Sequence, residues 1–337
     1  MEHRGLGESG LRVSVLSLGT MLFGDESSRG TPEGDARVLL DRFLEAGGTH
    51  VDTANVYAGG RSEAILGRAL EGRRDQVTLA TKVRFRTGPG PNDEGLSRRH
   101  VLEAVEASLR RLRTDHVDLL YAHCWDPWTP LEETLDAFDE LVRRGHVRYL
   151  GVSNFRAWQV AKAVTLQRER HLAPFVAAQY QQSLIERNVE DEFASLCWDE
   201  GLGMVPWGPL GGGFLSGKYH PGVRPGEGDG RIGTSPDHEE ESWTRRDTER
   251  NWQVLNAVRE IARDHGATPS QVALAWLVAR PTVSTVLVGA RTREQLDDNL
   301  GALELSLSGA ELDRLDDLSR PPARYPYRMI DLYGSRG

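Results

Sequence analysis

Val117-Asp118-Leu119-Leu120-Tyr121, a helical stretch opened by Thr129-Pro130-Leu131-Glu132, and Val147-Arg148-Tyr149-Leu150-Gly151-Val152 decide the fold. The outer two runs are short and largely apolar without clean alternation, which suits strands buried on both faces, as in a parallel sheet. The middle stretch reads as a helix. Thr129 and Glu132 have capping-box spacing with proline at the first helical position, Leu131, Leu135, Phe138, Leu141 and Val142 form one apolar stripe, and Gly145 ends it.

Working outward, the same unit recurs. Further apolar runs lie at Val13–Leu18, Thr49–Asp52, Val77–Thr81, Phe175–Gln179, Gly203–Trp207 and Val283–Val288, eight in all. Other helix starts are legible at Ser97 (with Val101, Leu102, Val105, Leu109 and Leu112 inward), at Thr268-Pro269-Ser270-Gln271, at Thr292–Gln295 and at Ser308–Glu311. Alternation of this kind predicts an α/β fold, a (β/α)8 TIM barrel, in a single domain over residues 1–337. A doubly wound open sheet is the rival that periodicity alone does not remove. Two connections are long: Arg84–Leu96 after strand 3 and Tyr219–Arg250 after strand 7. Loops of this length are either lids or tolerated insertions.

Of 337 residues, 39% are hydrophobic and 27% charged, the balance of a globular chain. The net charge of −9 argues against nucleic acid as a partner. Two cysteines, Cys124 and Cys197, make no disulfide framework, so a reducing compartment fits. With no long apolar stretch for a signal peptide or a membrane span, the expectation is a cytoplasmic protein without a membrane partner. Oligomeric state is not legible.

In a barrel, chemistry gathers at the strand C-termini. The runs close with Asp52, Lys82, His123, Ser153-Asn154, Gln179, Trp207 and Arg291. Single polar ends are ordinary; Asp, Lys, His, Asn and Gln on one rim suggest a site. Two glycine patterns, Gly5 to Gly10 and Gly228 to Gly233, match a dinucleotide fingerprint by spacing, but neither follows a buried strand and opens a helix, so both read as turns. No zinc motif is present, and Cys124 lacks the context of a nucleophile. The remaining histidines, His3, His100 and His146 among them, read as surface.

These residues resemble the aldo-keto reductase superfamily over nearly the whole chain. The likeness rests on Leu18-Gly19-Thr20-Met21, Asp52-Thr53-Ala54-Asn55-Val56-Tyr57, Ala80-Thr81-Lys82, His123, Gly145 to Phe155, Trp207-Gly208-Pro209-Leu210, Gly217-Lys218-Tyr219, and Gly289-Ala290-Arg291 through Gln295 and Asn299. It implies a barrel, NADP(H) as cofactor, and a catalytic tetrad of Asp52, Tyr57, Lys82 and His123. It further implies that Ser153, Asn154 and Gln179 hold the nicotinamide carboxamide and that Trp207 stacks on its ring. Gly19, Thr20, Met21, Asp52, Gly208, Pro209 and Leu210 are expected at the cofactor too, with Gly212 and Lys218 at the pyrophosphate. Gly208 departs from the serine common at that place.

The four tetrad residues also make chemical sense together. Carbonyl reduction needs a proton for oxygen, and a phenol with pKa near ~10 is a reluctant donor. Lys82 is expected to lower it, Asp52 to hold the lysine, and His123 to hydrogen-bond the small-molecule carbonyl substrate. At the other end, strand 8 delivers Gly289 and Arg291 to a helix start, where Arg291 suits a 2′-phosphate. Gln295 and Asn299, four apart, share a face toward the adenosine. The substrate wall is expected from Met21, Leu22, Phe23, Tyr57, His123, Cys124, Trp125 and the two long loops, with Arg84 and Arg86 as anion contacts.

Three other readings remain. A Schiff-base lyase through Lys82 needs a neutral lysine, which Asp52 opposes. A low-turnover NADPH-sensing subunit is a family variant that the intact tetrad disfavours. A nucleotide-sugar keto or enoyl reductase is another, which no residue separates from a general aldehyde or ketone reductase, although His123 rather than a glutamate leans toward carbonyl over steroid-type C=C reduction.

Overall fold

In the computed structural model, residues 1–27, 29–226, 229–235, 237, 239 and 241–334 are described. A hairpin, β1 (His3–Gly5) and β2 (Arg12–Ser14), precedes eight strands: β3 (Leu16–Gly19), β4 (His50–Asp52), β5 (Thr78–Val83), β6 (Val117–Ala122), β7 (Val147–Ser153), β8 (Phe175–Gln181), β9 (Gly203–Trp207) and β10 (Val286–Val288). These eight form one parallel sheet in the order β10-β3-β4-β5-β6-β7-β8-β9. A bridge between Met204 and Val283, with Met204 N–H donating to Thr282 O and Ser284 N–H to Met204 O, closes the ring. The result is the expected (β/α)8 barrel.

The helices are α1 (Glu33–Glu45), α2 (Arg61–Ala69), α3 (Arg98–Leu112), α4 (Leu131–Arg143), α5 (Ala157–Glu169), α6 (Phe193–Asp199), α7 (Arg231–Thr234), α8 (Trp243–Arg246), α9 (Glu249–Asp264), α10 (Pro269–Val278), α11 (Arg293–Gly301), α12 (Gly309–Ser319) and α13 (Tyr327–Gly334). The apolar stripes decide how they lie. Leu39 and Phe43 of α1, Val101 and Val105 of α3, Leu135 and Phe138 of α4 and Val258 of α9 are buried against the outside of the barrel. Truncating Phe43 or Phe138 to alanine costs about 3–5 kcal/mol at such positions. Inside the ring a second, smaller cluster joins Ala80, Leu119, Tyr121, Ala177, Val205 and Leu287 to Leu6 and Val13 of the hairpin. The hairpin therefore plugs the N-terminal mouth, leaving the C-terminal mouth for a site. Gly7 is required there: at φ 58° a Cβ would lie 2.3 Å from Gly201 O.

Most helix ends follow the sequence. Ser97, Thr268, Thr292 and Ser308 accept from the backbone N–H three residues on, and Thr268–Gln271 and Ser308–Glu311 complete capping boxes. Three expectations need correction. Thr129 does not cap α4: its hydroxyl donates to Asp126 at 2.6 Å, and Pro130 occupies the N-cap. The run Val13–Leu18 divides at Val15, so Val13 belongs to the hairpin and Leu16 begins the barrel. The Tyr219–Arg250 connection carries the short helices α7 and α8, with Trp243 buried, and α9 starts inside its end. Of its glycine pattern, Gly228 lies outside the described residues, and Gly230 precedes a single helical turn. The other pattern, Gly5 to Gly10, forms the hairpin turn. Among the described residues, no helix is long and apolar enough to cross a membrane.

Candidate active site

Strand geometry aims the central residues. Ala80 faces the barrel interior, so Lys82, two positions on, points the same way. Its ammonium is fully buried and spends all three donors: on Asp52 Oδ1, on Thr53 O at 2.8 Å and on the Tyr57 hydroxyl at 3.2 Å. Gln179 Nε2 donates to the other Asp52 oxygen at 3.0 Å, so both carboxylate oxygens are occupied. An ammonium accepts nothing, so the Tyr57 oxygen must accept from Lys82, and its own hydrogen is left to point elsewhere. The remaining direction is the cavity that Tyr57 lines.

His123 follows β6 and stands edge-on to Tyr57, ring centroids 5.9 Å apart, and to Phe85 at 4.7 Å. Its Nδ1 is buried without a hydrogen-bond partner among the described residues. Burial, assisted by the Lys82 charge, pushes its pKa well below the ordinary 6.5, so the ring is neutral at neutral pH. Lys82 is the opposite case. Burial works against its charge, yet Asp52 and Tyr57 outweigh that and raise its pKa, which keeps the ammonium. A neutral lysine nucleophile is therefore disfavoured. For Tyr57 the expectation needs correction: Lys82 does pull the phenol down, but burial is the larger effect and the pKa is raised above 10.

Beside the tetrad runs a chain of amides. Asn154, at φ 54°, donates to His123 O at 2.8 Å and to Ser153 Oγ at 2.9 Å, and Ser153 Oγ donates to Gln179 O at 2.8 Å. One cavity of about 610 Å3 opens on all of this, within the ordinary size range of cofactor sites. Its walls include every residue expected at the cofactor: Gly19, Thr20, Met21, Asp52, Ser153, Asn154, Gln179, Trp207, Gly208, Pro209, Leu210, Gly212, Lys218, Gly289, Arg291, Gln295 and Asn299.

The expected substrate wall holds less well. Tyr57, His123, Met21 and Leu22 line the cavity, whereas Phe23 is 1% exposed in the outer core. The half-buried Cys124 turns its thiol toward Asn154 O, and Trp125 packs on Phe155 and lines a separate groove with Tyr325 and Tyr327. Arg86 is consumed within its own loop by Glu94 and by Gly88 and Gly90 carbonyls, and Arg84 lies over Phe85. His100 is buried in α3, not on the surface, and His50 is wholly buried inside the barrel. Both long loops reach the cavity as expected, the first with Phe85 and the second with Gly230, Arg231 and Glu241; Val56 and Ser270 line it too, without having been singled out as site residues in the sequence. Arg231 and Glu241 form an ion pair in the connection after β9; they sit in a loop crowded with charge, where no local signal marks them.

The far end of the cavity is cationic. Partial burial, then the neighbouring Arg291, hold the Lys218 pKa below its ordinary value, with Asp229 in partial compensation. Two cations that disfavour each other are a place an anion would stabilise. The N-terminus of α11 adds its dipole, with Thr292 as cap. Three adjacent left-handed glycines, Gly211, Gly212 and Gly213, bring backbone close to the same wall. This donor set fits a nicotinamide dinucleotide: phosphate chemistry at one end, amide partners and an aromatic face at the other.

Eight parallel strands, surrounding helices and a buried Asp–Lys–Tyr–His set at the C-terminal mouth define a barrel oxidoreductase. Comparison with known proteins agrees. The model of the Aldo/keto reductase family matches residues 15–320. An uncharacterized oxidoreductase of Bacillus subtilis is 38% identical, over 96% of this chain and 97% of its own. A norsolorinic acid reductase of Emericella nidulans is 36% identical, over 92% of this chain and 79% of its own. An Arabidopsis thaliana protein named "Probable voltage-gated potassium channel subunit beta" is 34% identical, over 97% of this chain and 100% of its own. The chain belongs to the aldo/keto reductase family.

Proposed function

We propose that this protein is a cytoplasmic, single-domain NADP(H)-dependent reductase that converts a small aldehyde or ketone to an alcohol with Tyr57 as proton donor. The observation that carries the reading is the Tyr57 hydroxyl, 3.2 Å from a lysine whose other donors are taken, facing a cavity with a cationic far end. Bound NADPH would supply the hydride. Ser153, Asn154 and Gln179 would orient its carboxamide, Trp207 would cover one ring face, and Gly19, Thr20, Met21, Asp52, Gly208, Pro209 and Leu210 would shape the slot around it. Gly212 and Lys218 would hold the pyrophosphate, and Gly289, Arg291, Gln295 and Asn299 the adenosine end, with Arg291 favouring a 2′-phosphate.

The chain's own residues then handle the proton. His123, neutral, donates a hydrogen bond to the carbonyl oxygen and positions it beside Tyr57. As charge develops on that oxygen, Tyr57 gives up its proton, and Lys82 stabilises the phenolate left behind. Asp52 keeps Lys82 charged and fixed throughout. Phe85 and Leu22, with the half-buried Met21, limit water near the reacting oxygen.

The relatives named as channel subunits favour a second reading, in which bound NADPH is sensed more than consumed. One experiment separates the two: NADPH oxidation followed with a panel of aldehydes and ketones, in the wild type and in Tyr57→Phe. General acid removal is expected to lower kcat by ~10²–10⁴ with NADPH affinity retained. Binding without turnover in the wild type would favour the sensing subunit. Equal turnover in both proteins would sink the proton-donor assignment.

A further inference from the structure

Tyr57 sits on an awkward piece of backbone. Ala58, Gly59 and Gly60 follow it with φ of 49°, 64° and 90°, three left-handed residues in a row. Gly59 and Gly60 take this region freely, but Ala58 does not, and a non-glycine residue persists there only where its surroundings over-determine it. Its restraint comes from two buried side chains in the first turn of α2, Ser62 and Glu63. Ser62 Oγ donates to Thr20 O at 2.8 Å and lies 2.9 Å from the hydroxyls of both Thr20 and Thr53, joining the loop to the ends of β3 and β4. Glu63 faces the other way. It is wholly buried, accepts from the Thr81 hydroxyl at 2.6 Å on one oxygen and from Arg111 Nε at 2.7 Å on the other.

Both partners matter to the tetrad. Thr81 precedes Lys82 on β5; since side chains alternate, it faces the helix layer while Lys82 faces the barrel. Arg111 comes from α3 and lies along Gly60, where an added Cβ would meet its Cδ and Nε at 2.9 Å. Arg111 can only donate, so an oxygen must face it; an amide could keep that bond only by turning its NH2 toward Thr81, which reverses the Thr81 hydrogen bond and removes the charge that Arg111 pairs with.

We propose that Glu63 is the positioning residue that sets the Tyr57–Lys82 contact, clamping the Tyr57 loop through Arg111 and the Lys82 strand through Thr81. This rests on the reading of Tyr57 as proton donor, but the clamp itself can be read without catalysis. The test compares wild type, Glu63→Gln and Thr81→Val by peptide-resolved hydrogen exchange, by NADPH titration and by carbonyl-reductase kinetics.

In Glu63→Gln, exchange in the segment 56–62 is expected to quicken about tenfold while the barrel strands are unchanged. Carbonyl KM and NADPH affinity should stay within about twofold while kcat falls by ~10–10², the scale of a small misplacement. Thr81→Val, which removes one hydrogen bond, should do the same more weakly and serves if Glu63→Gln does not fold. Unchanged exchange at 56–62, uniform loosening of the whole molecule, or a rise in KM without loss of kcat would overturn the clamp. If the wild type turns over no carbonyl, the proton-donor reading fails, and the exchange result still decides the clamp.

Discussion

The two ends of the cavity are built on opposite plans. At the tetrad end, Asp52, Lys82, Ser153 and Gln179 come from strand ends, are buried, and have nearly every polar atom satisfied. At the far end, Lys218 and Arg291 come from loops, reach toward solvent, and leave positive charge that Asp229 only partly compensates. On the proposed reading, the first end would hold a proton donor within hydrogen-bonding distance of a reacting atom and so is preorganised. The second would attract and release a large anion and so keeps its charge available.

If that contrast is real, substitutions at the two ends should fail differently. The largest effect is expected from Lys82→Met. It leaves Asp52 buried without its cation, which costs about 3–5 kcal/mol where a buried pair is broken, and urea unfolding reads it directly. A loss under ~1 kcal/mol, the scale of an exposed pair, would show that this end is not the rigid one.

Next comes acid. His50, inside the barrel beneath Asp52, is pushed by burial to a pKa of about 4. The unfolded chain, with an ordinary value near ~6.5, takes up this proton first, so stability falls as pH drops through 6.5 and the contribution is gone below about 4. At roughly 1.4 kcal/mol per unit, the loss is on the order of 3 kcal/mol. Denaturation at pH 7 and at pH 4.5 should show most of it, and His50→Asn should flatten the difference. His123 and the buried His100 shift in the same direction, so a slope that survives in His50→Asn would belong to them, and His100→Asn would separate the two.

The smallest effect is expected from Arg291→Ala. A charge-assisted hydrogen bond is worth about 1.5–3 kcal/mol, so NADPH should bind ~10–100-fold more weakly. NADH affinity and the unfolding midpoint should barely move. Fluorescence titration with both cofactors at one salt concentration checks this. Equal losses for the two would assign Arg291 to the shared pyrophosphate and move the recognition of the 2′-phosphate elsewhere.

The tetrad was legible because strand ends are local signals. A buried run has a recognisable period, and the polar residue that closes it falls on the rim. Asp52, Lys82 and His123 stood out by that rule, whereas Tyr57 was marked by the resemblance to the aldo-keto reductases, its place five residues after Asp52 being compatible with one strand end and its loop. Thr129 misled for a related reason: the spacing of a cap is local, but Asp126 competes for the hydroxyl, and only the folded turn shows it. Phe23, taken as substrate wall, lies near the right strand end but on its outer side. Arg86 carried the right charge but spends it on its own loop.

By itself, then, the sequence determined the alternation of strands and helices, most helix caps and the residue types on the rim, all of which depend on neighbours within a few positions. Tertiary structure decided the rest: that His123 is neutral and His50 enclosed, that burial outweighs Lys82 at Tyr57, that Arg231 and Glu241 lie across the cavity, and that Glu63 joins Thr81 to Arg111. Those partners are 18 to 127 residues apart for the Glu63 and Gln179 contacts. What meets across such separations, and how much water is excluded when it does, is set by closing the ring of strands, and no local period in the chain encodes it.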